Sequence, residues 1–138
     1  MPTDMPMREA IWWTAATIAF LSLAGCGDPC DGSEERAVPL SELPCNMTKE
    51  NGIWESHPIA PADEECYWFE FRGCSTYTFD HPLGYAPTSV LGYTSFDSDG
   101  GFATVGSGNS FIVEDATDST VVIRNAQNQL FWLRLVLQ

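Results

Sequence analysis

The chain has 138 residues and a formal charge of −13, with 19 Asp and Glu against 6 Lys and Arg. So acidic a surface excludes nucleic acid and anionic lipid headgroups as partners. Aromatic residues at 12% are enough for a packed core, which excludes wholesale disorder, and the length leaves room for one modest domain.

The first element is the uncharged, mostly apolar run from Ile11 to Ala24. It has the length of a signal-peptide core and falls short of the roughly 20 residues that span a bilayer. Arg8 stands between Asp4 and Glu9, so the first ten residues carry no excess of basic side chains. A start at Met7 would bring the amino terminus and Arg8 together. The run ends in Leu23-Ala24-Gly25-Cys26. This tetrapeptide resembles the lipobox of bacterial lipoproteins, in which a branched apolar residue and two small ones precede a cysteine. The resemblance covers the first 26 residues. It implies diacylglycerol on the Cys26 thiol, cleavage before Cys26, and a further acyl chain, such as palmitate, on the freed amine. It also implies a cell-envelope location, and Gly27 in place of an aspartate after the cysteine favours the outer membrane. The plainer alternative is an ordinary secretory peptide with a chance cysteine.

Removing residues 1–25 takes away Asp4, Arg8 and Glu9 and leaves 17 acidic against 5 basic side chains, a charge of −12. Beside Cys26 the exported chain keeps Cys30, Cys45, Cys66 and Cys74, an even number in an oxidising compartment, so two disulfides are expected. Three connectivities exist. A straight strand over Tyr67 to Arg72 would hold Cys66 and Cys74 roughly 26 Å apart at about 3.3 Å per residue, far beyond the ~7 Å limit between bridged α-carbons. Cys30 and Cys45 are therefore expected to pair each with one of Cys66 and Cys74, with pairing in sequence order as the runner-up. A zinc site is disfavoured because no C-x-x-C pair is present.

From Gly27 to about Glu65 the chain is polar, acidic and rich in proline, with Val38-Pro39-Leu40 and Ile53-Trp54 as apolar islands. Residues 26–65 are read as an irregular tether pinned by the disulfides, with one short strand near Trp54. Asn46-Met47-Thr48 matches a glycosylation acceptor that a bacterial lipoprotein leaves unmodified. From Cys66 the pattern changes to short alternating runs between Gly, Asp, Asn and Pro. Tyr67, Phe69 and Phe71 fall on one face and Trp68, Glu70 and Arg72 on the other. Further runs lie at Tyr77 to Phe79, Thr88 to Phe96, Phe102 to Val105, Phe111 to Glu114, Thr120 to Arg124 and Leu130 to Leu137. Residues 66–138 are accordingly predicted to form an all-β, antiparallel β-sandwich of seven or eight strands. The apolar last run is expected to be a central strand.

Several local patterns bear on function. His81-Pro82-Leu83-Gly84-Tyr85-Ala86-Pro87-Thr88-Ser89-Val90 looks like a segment of β-sandwich modules in phage tail proteins, where it forms a turn between two strands. Asp97 and Asp99 have the spacing of a calcium loop whose remaining ligands are missing, although Glu114, Asp115 or Asp118 could supplement them from a neighbouring loop. Asp99-Gly100 is equally an ordinary hairpin turn. Gly106-Ser107-Gly108-Asn109-Ser110 lacks the lysine and helix of a phosphate loop and is read as a turn. Trp54, Trp68 and Trp132 could stack on sugar rings, but more commonly such residues cover a sheet. His57 and His81 belong to no catalytic motif, so no catalytic residue, metal or cofactor is assigned.

The leading expectation is a lipid-anchored, non-catalytic interaction or structural module, joined to the membrane through acyl chains on Cys26 and meeting a protein or glycan at the cell surface. A calcium- or carbohydrate-binding module is the alternative, and a small hydrolase built on a spatial His-carboxylate cluster is the third reading.

Overall fold

The computed structural model describes residues 30–138, and Cys26 and the apolar run before it lie outside the described residues. The chain folds as an all-β sandwich with strands β1 (Glu34–Val38), β2 (Met47–Thr48), β3 (Trp54–Glu55), β4 (Phe69–Phe71), β5 (Ser75–Asp80), β6 (Val90–Ser95), β7 (Thr104–Val105), β8 (Ile112–Ala116), β9 (Thr120–Asn125) and β10 (Phe131–Leu137). Seven of these are longer than two residues. One sheet has the order β1-β5-β9-β8. The other has β2-β3-β10-β6-β7, with β4 also paired to β10.

Period-two alternation builds the core. Along β5, Tyr77 and Phe79 point inward between Thr76, Thr78 and Asp80, and β9 sends Val121 and Ile123 the same way. Facing them are Phe69 and Phe71 of β4 and Phe131, Leu133, Leu135 and Leu137 of β10. The sheets lock through aromatic edges, with the Phe69 ring centred 5.1 Å from Tyr77 and 5.0 Å from Phe79 in edge-to-face geometry. Such pairs add about 0.5–1.5 kcal/mol beyond their buried area. The last strand is central: β6 runs along one of its edges, while β4 and β3 lie end to end along the other.

Two features differ from the sequence reading. The segment expected as a tether is in large part built into the sandwich: β1 pairs with β5, and Val38, Leu43 and Trp54 are fully buried in the core. Its apolar residues are isolated along the chain, so no window of sequence shows a period. The β1–β5 pair is also parallel, in a sheet otherwise antiparallel. A parallel neighbour is reached by a crossover, here the long excursion through β2, β3 and β4, and local turn signals carry no trace of it.

The disulfides are Cys30–Cys74 and Cys45–Cys66, with α-carbons 4.9 and 5.3 Å apart. The first joins the entry of the chain to the turn between β4 and β5. The second ties the turn after Leu43 to the short 3-10 turn Glu64–Cys66. Closing these loops stabilises a small domain by roughly 4 kcal/mol for the first and roughly 3 kcal/mol for the second in the chain-entropy account.

Candidate functional site

Three places concentrate polar or reactive side chains. The first lies where β10 has no continuous partner between β3 and β4. There Ser56 extends β3, donating its backbone N–H to Leu135 O at 3.0 Å while its Oγ accepts the Leu135 N–H at 2.8 Å. The hydroxyl thus fills the missing rung of the ladder. Ser56 Oγ lies 2.9 Å from Nδ1 of His57, and with one lone pair engaged by Leu135 it is placed to donate its proton to that nitrogen. Arg134 Nε donates to His57 O at 2.9 Å, Arg134 Nη2 pairs with Glu55 Oε2 at 2.9 Å, and Lys49 reaches the other Glu55 oxygen. The Arg134 guanidinium also stacks over Tyr93, 5.3 Å from its ring centre.

Electrostatics in this cluster follow from burial. His57 is pushed down to about 4, first by desolvation and then by the charge of Arg134, so its imidazole is neutral. Burial alone would raise the Glu55 carboxyl, but Lys49 and Arg134 outweigh it and hold the group below its usual value. Ser56 is 1% exposed and His57 3% exposed. A substrate carbonyl has no approach to Ser56 Oγ, and the hydroxyl is already spent on Leu135 and His57. The chemistry of the cluster is that of a buried polar network that repairs a sheet.

The second place is the end of the sandwich where the chain enters. The Cys30–Cys74 disulfide, Gly32, Ser33, Arg124 and Asn125 line an open cavity of about 270 Å³, just below the ~300 Å³ at which small-molecule sites begin. Arg124 is not a spare cation there, since its Nε lies 2.6 Å from Glu114 Oε1. Asn125, wholly buried, donates to Gln129 O at 2.8 Å and to Phe71 O at 3.4 Å, and accepts the Gln127 N–H at 3.0 Å. One amide therefore fastens β9 to the opposite sheet.

The third is the β6–β7 hairpin with Asp97 and Asp99. Gly100, at φ 78°, donates its N–H to Asp97 O, and Asp99 Oδ1 accepts the Gly101 N–H at 2.9 Å. The Asp99 carboxylate and the Asp97 carbonyl serve the turn. Among the described residues no group of three or more His, Cys, Asp or Glu side chains is arranged to hold a metal ion. The loop of Asp118 lies at the opposite end of the sandwich, and Glu114 is engaged by Arg124.

The remaining candidates have structural employment, except Trp132, which is half-buried on β10. Trp54 and Trp68 are buried, their indole N–H groups donating to Asn46 Oδ1 and Pro58 O, and Gly100 packs against the Trp68 ring. Neither offers a face to a sugar. His81 starts the turn that carries the chain from β5 to β6. It is buried 6.5 Å from the Trp54 ring with neither ring nitrogen hydrogen-bonded. Gly108–Ser110 forms one 3-10 turn before β8. Sequence reading missed the Ser56–His57–Arg134 cluster, because residues 77 to 79 positions apart meet there and only the oddity of a lone arginine inside the apolar last strand hinted at it.

Comparison with protein-family models, with curated proteins and with solved structures finds no match for this chain.

Proposed function

We propose that the chain is a lipid-anchored protein of the bacterial cell envelope, held by acyl chains on Cys26 and working as a non-catalytic interaction or structural module at the outer membrane. One observation carries the reading. The two disulfides consume Cys30, Cys45, Cys66 and Cys74, which leaves as the fifth cysteine the one that closes Leu23-Ala24-Gly25-Cys26. Disulfides belong to exported proteins, and a lipobox cysteine is consumed by acylation rather than by pairing. Each buried methylene contributes about 0.8 kcal/mol, so one chain gives reversible membrane binding and two or three give a lasting anchor. The non-catalytic part is supported by the burial and full engagement of the Ser56–His57 pair, the nearest approach to a nucleophile and base among the described residues.

The experiment is detergent-phase partition with intact mass of the native protein beside Cys26→Ser. The native protein is expected to enter the detergent phase with added acyl mass and to lose both on substitution. Native protein that stays aqueous at the mass of the unmodified polypeptide sinks the reading.

A further inference from the structure

Phe102 is 97% exposed, the most exposed large apolar side chain of the described residues. Its backbone sits at φ 54°, in the left-handed region that disfavours a residue with a Cβ, although Gly101 stands beside it and could have taken that conformation. A strained backbone that displays an aromatic ring to solvent points to a use for the ring. Phe96, 71% exposed, belongs to the same place. The β6–β7 ladder ends with Tyr93 opposite Val105 and Thr94 opposite Thr104, so Phe96 and Phe102 each lie two residues beyond its last pair, at the neck of the hairpin. Beyond the neck the loop reaches the start of β4, where Ser98 O accepts the Trp68 backbone N–H at 2.8 Å and Gly100 lies against the Trp68 ring. The two phenylalanines are thus at the extremity of the sandwich.

That extremity is the one that carries Cys30. Phe96 rests on Phe131, ring centres 5.4 Å apart, and Leu130 beside it is partly exposed. The β9–β10 connection that holds Leu130 supplies Gln127 O to the Cys74 N–H at 2.9 Å, and Cys74 is bonded to Cys30. Cys30 follows Cys26 by four residues, which at full extension span at most about 14 Å. A domain on so short a leash cannot stand clear of the bilayer.

We propose that Phe96 and Phe102, flanked by Leu130, seat this end of the domain in the interfacial layer of the bilayer that holds Cys26. The proposal rests on the lipid-anchored reading above. The lipid is zwitterionic, since Asp97 and Asp99 adjoin the neck and the exported chain carries −12, both of which anionic headgroups repel. Two rings suffice because the leash makes insertion an intramolecular event.

The test uses the acylated full chain on phosphatidylcholine vesicles with and without brominated acyl chains. Phe102→Trp adds an emission component over the background of the unsubstituted protein. That component is expected to be quenched about twofold by bromine, as for a ring about 5–10 Å into the interface. A tryptophan introduced by Ser119→Trp, in the β8–β9 turn at the far end, is expected to be unaffected. Adding Phe96→Ser to Phe102→Trp, or phosphatidylglycerol to the vesicles, is expected to reduce the quenching. Protein that carries acyl mass and floats with the vesicles while the Phe102→Trp emission is insensitive to bromine overturns the docking and leaves the anchor standing. Protein without acyl mass that fails to float removes the anchor itself. Emission that is blue-shifted without bromine quenching means the neck is covered by protein, a second copy included, and also overturns the proposal.

Discussion

Protonation of His57 is expected to be the main cause of acid lability in this domain above the carboxylate range. In the folded state burial, followed by Arg134, pushes His57 down to about 4 from the 6.5 of an exposed imidazole. Between those values the unfolded chain holds a proton that the folded one refuses. Stability is therefore fully present above the unfolded value and is lost as pH falls through this window. At about 1.4 kcal/mol per unit, roughly 2.5 kcal/mol disappears between about pH 7.5 and about pH 4.5. Glu55 adds a loss of the same sign only lower down, because its carboxyl is held below 4.5. The assay is urea unfolding across this range for the native protein and His57→Asn, whose amide oxygen replaces Nδ1 as the acceptor for Ser56. The substitution carries a pH-independent packing cost, so the informative quantity is the difference between the two curves. It should shrink by about 2.5 kcal/mol on acidification, because only the native protein loses this term. Curves that run parallel over the whole range would refute a buried neutral imidazole at His57.

Two other substitutions probe the interior. His81→Leu is expected to raise stability by about 1 kcal/mol, because it replaces two unpartnered buried nitrogens with apolar surface against Trp54, and a lower urea midpoint would contradict this. Asn125→Ala should cost about 2–3 kcal/mol, since it strands the Gln127 N–H and the carbonyls of Phe71 and Gln129. A midpoint unchanged in that variant would mean that the link between the sheets is not made by this amide.

The sequence by itself determined the main strands from Cys66 onward, since β4, β5 and β9 alternate buried and outward residues at period two, and a half-buried strand cannot hide that rhythm. It also determined the central place of β10, whose run of leucines and aromatics has to be covered from both edges. What it left open was settled by contacts remote along the chain. Val38, Leu43 and Trp54 look like solitary apolar residues in an acidic, proline-rich stretch, yet all three are in the core, because a parallel β1 and a disulfide at each end draw the stretch inward. The environment of His57 is likewise a tertiary matter, since Arg134 and Leu135 reach it from the last strand and no spacing near His57 announces them. The same holds for the exposed end. Phe96 and Phe102 read as ordinary alternating strand residues, and only the tertiary fold leaves them at the end of the sandwich that also carries the Cys30–Cys74 disulfide. Periodicity reports what one element buries, whereas the meeting of distant elements depends on a balance of packing and loop closure that local sequence does not encode.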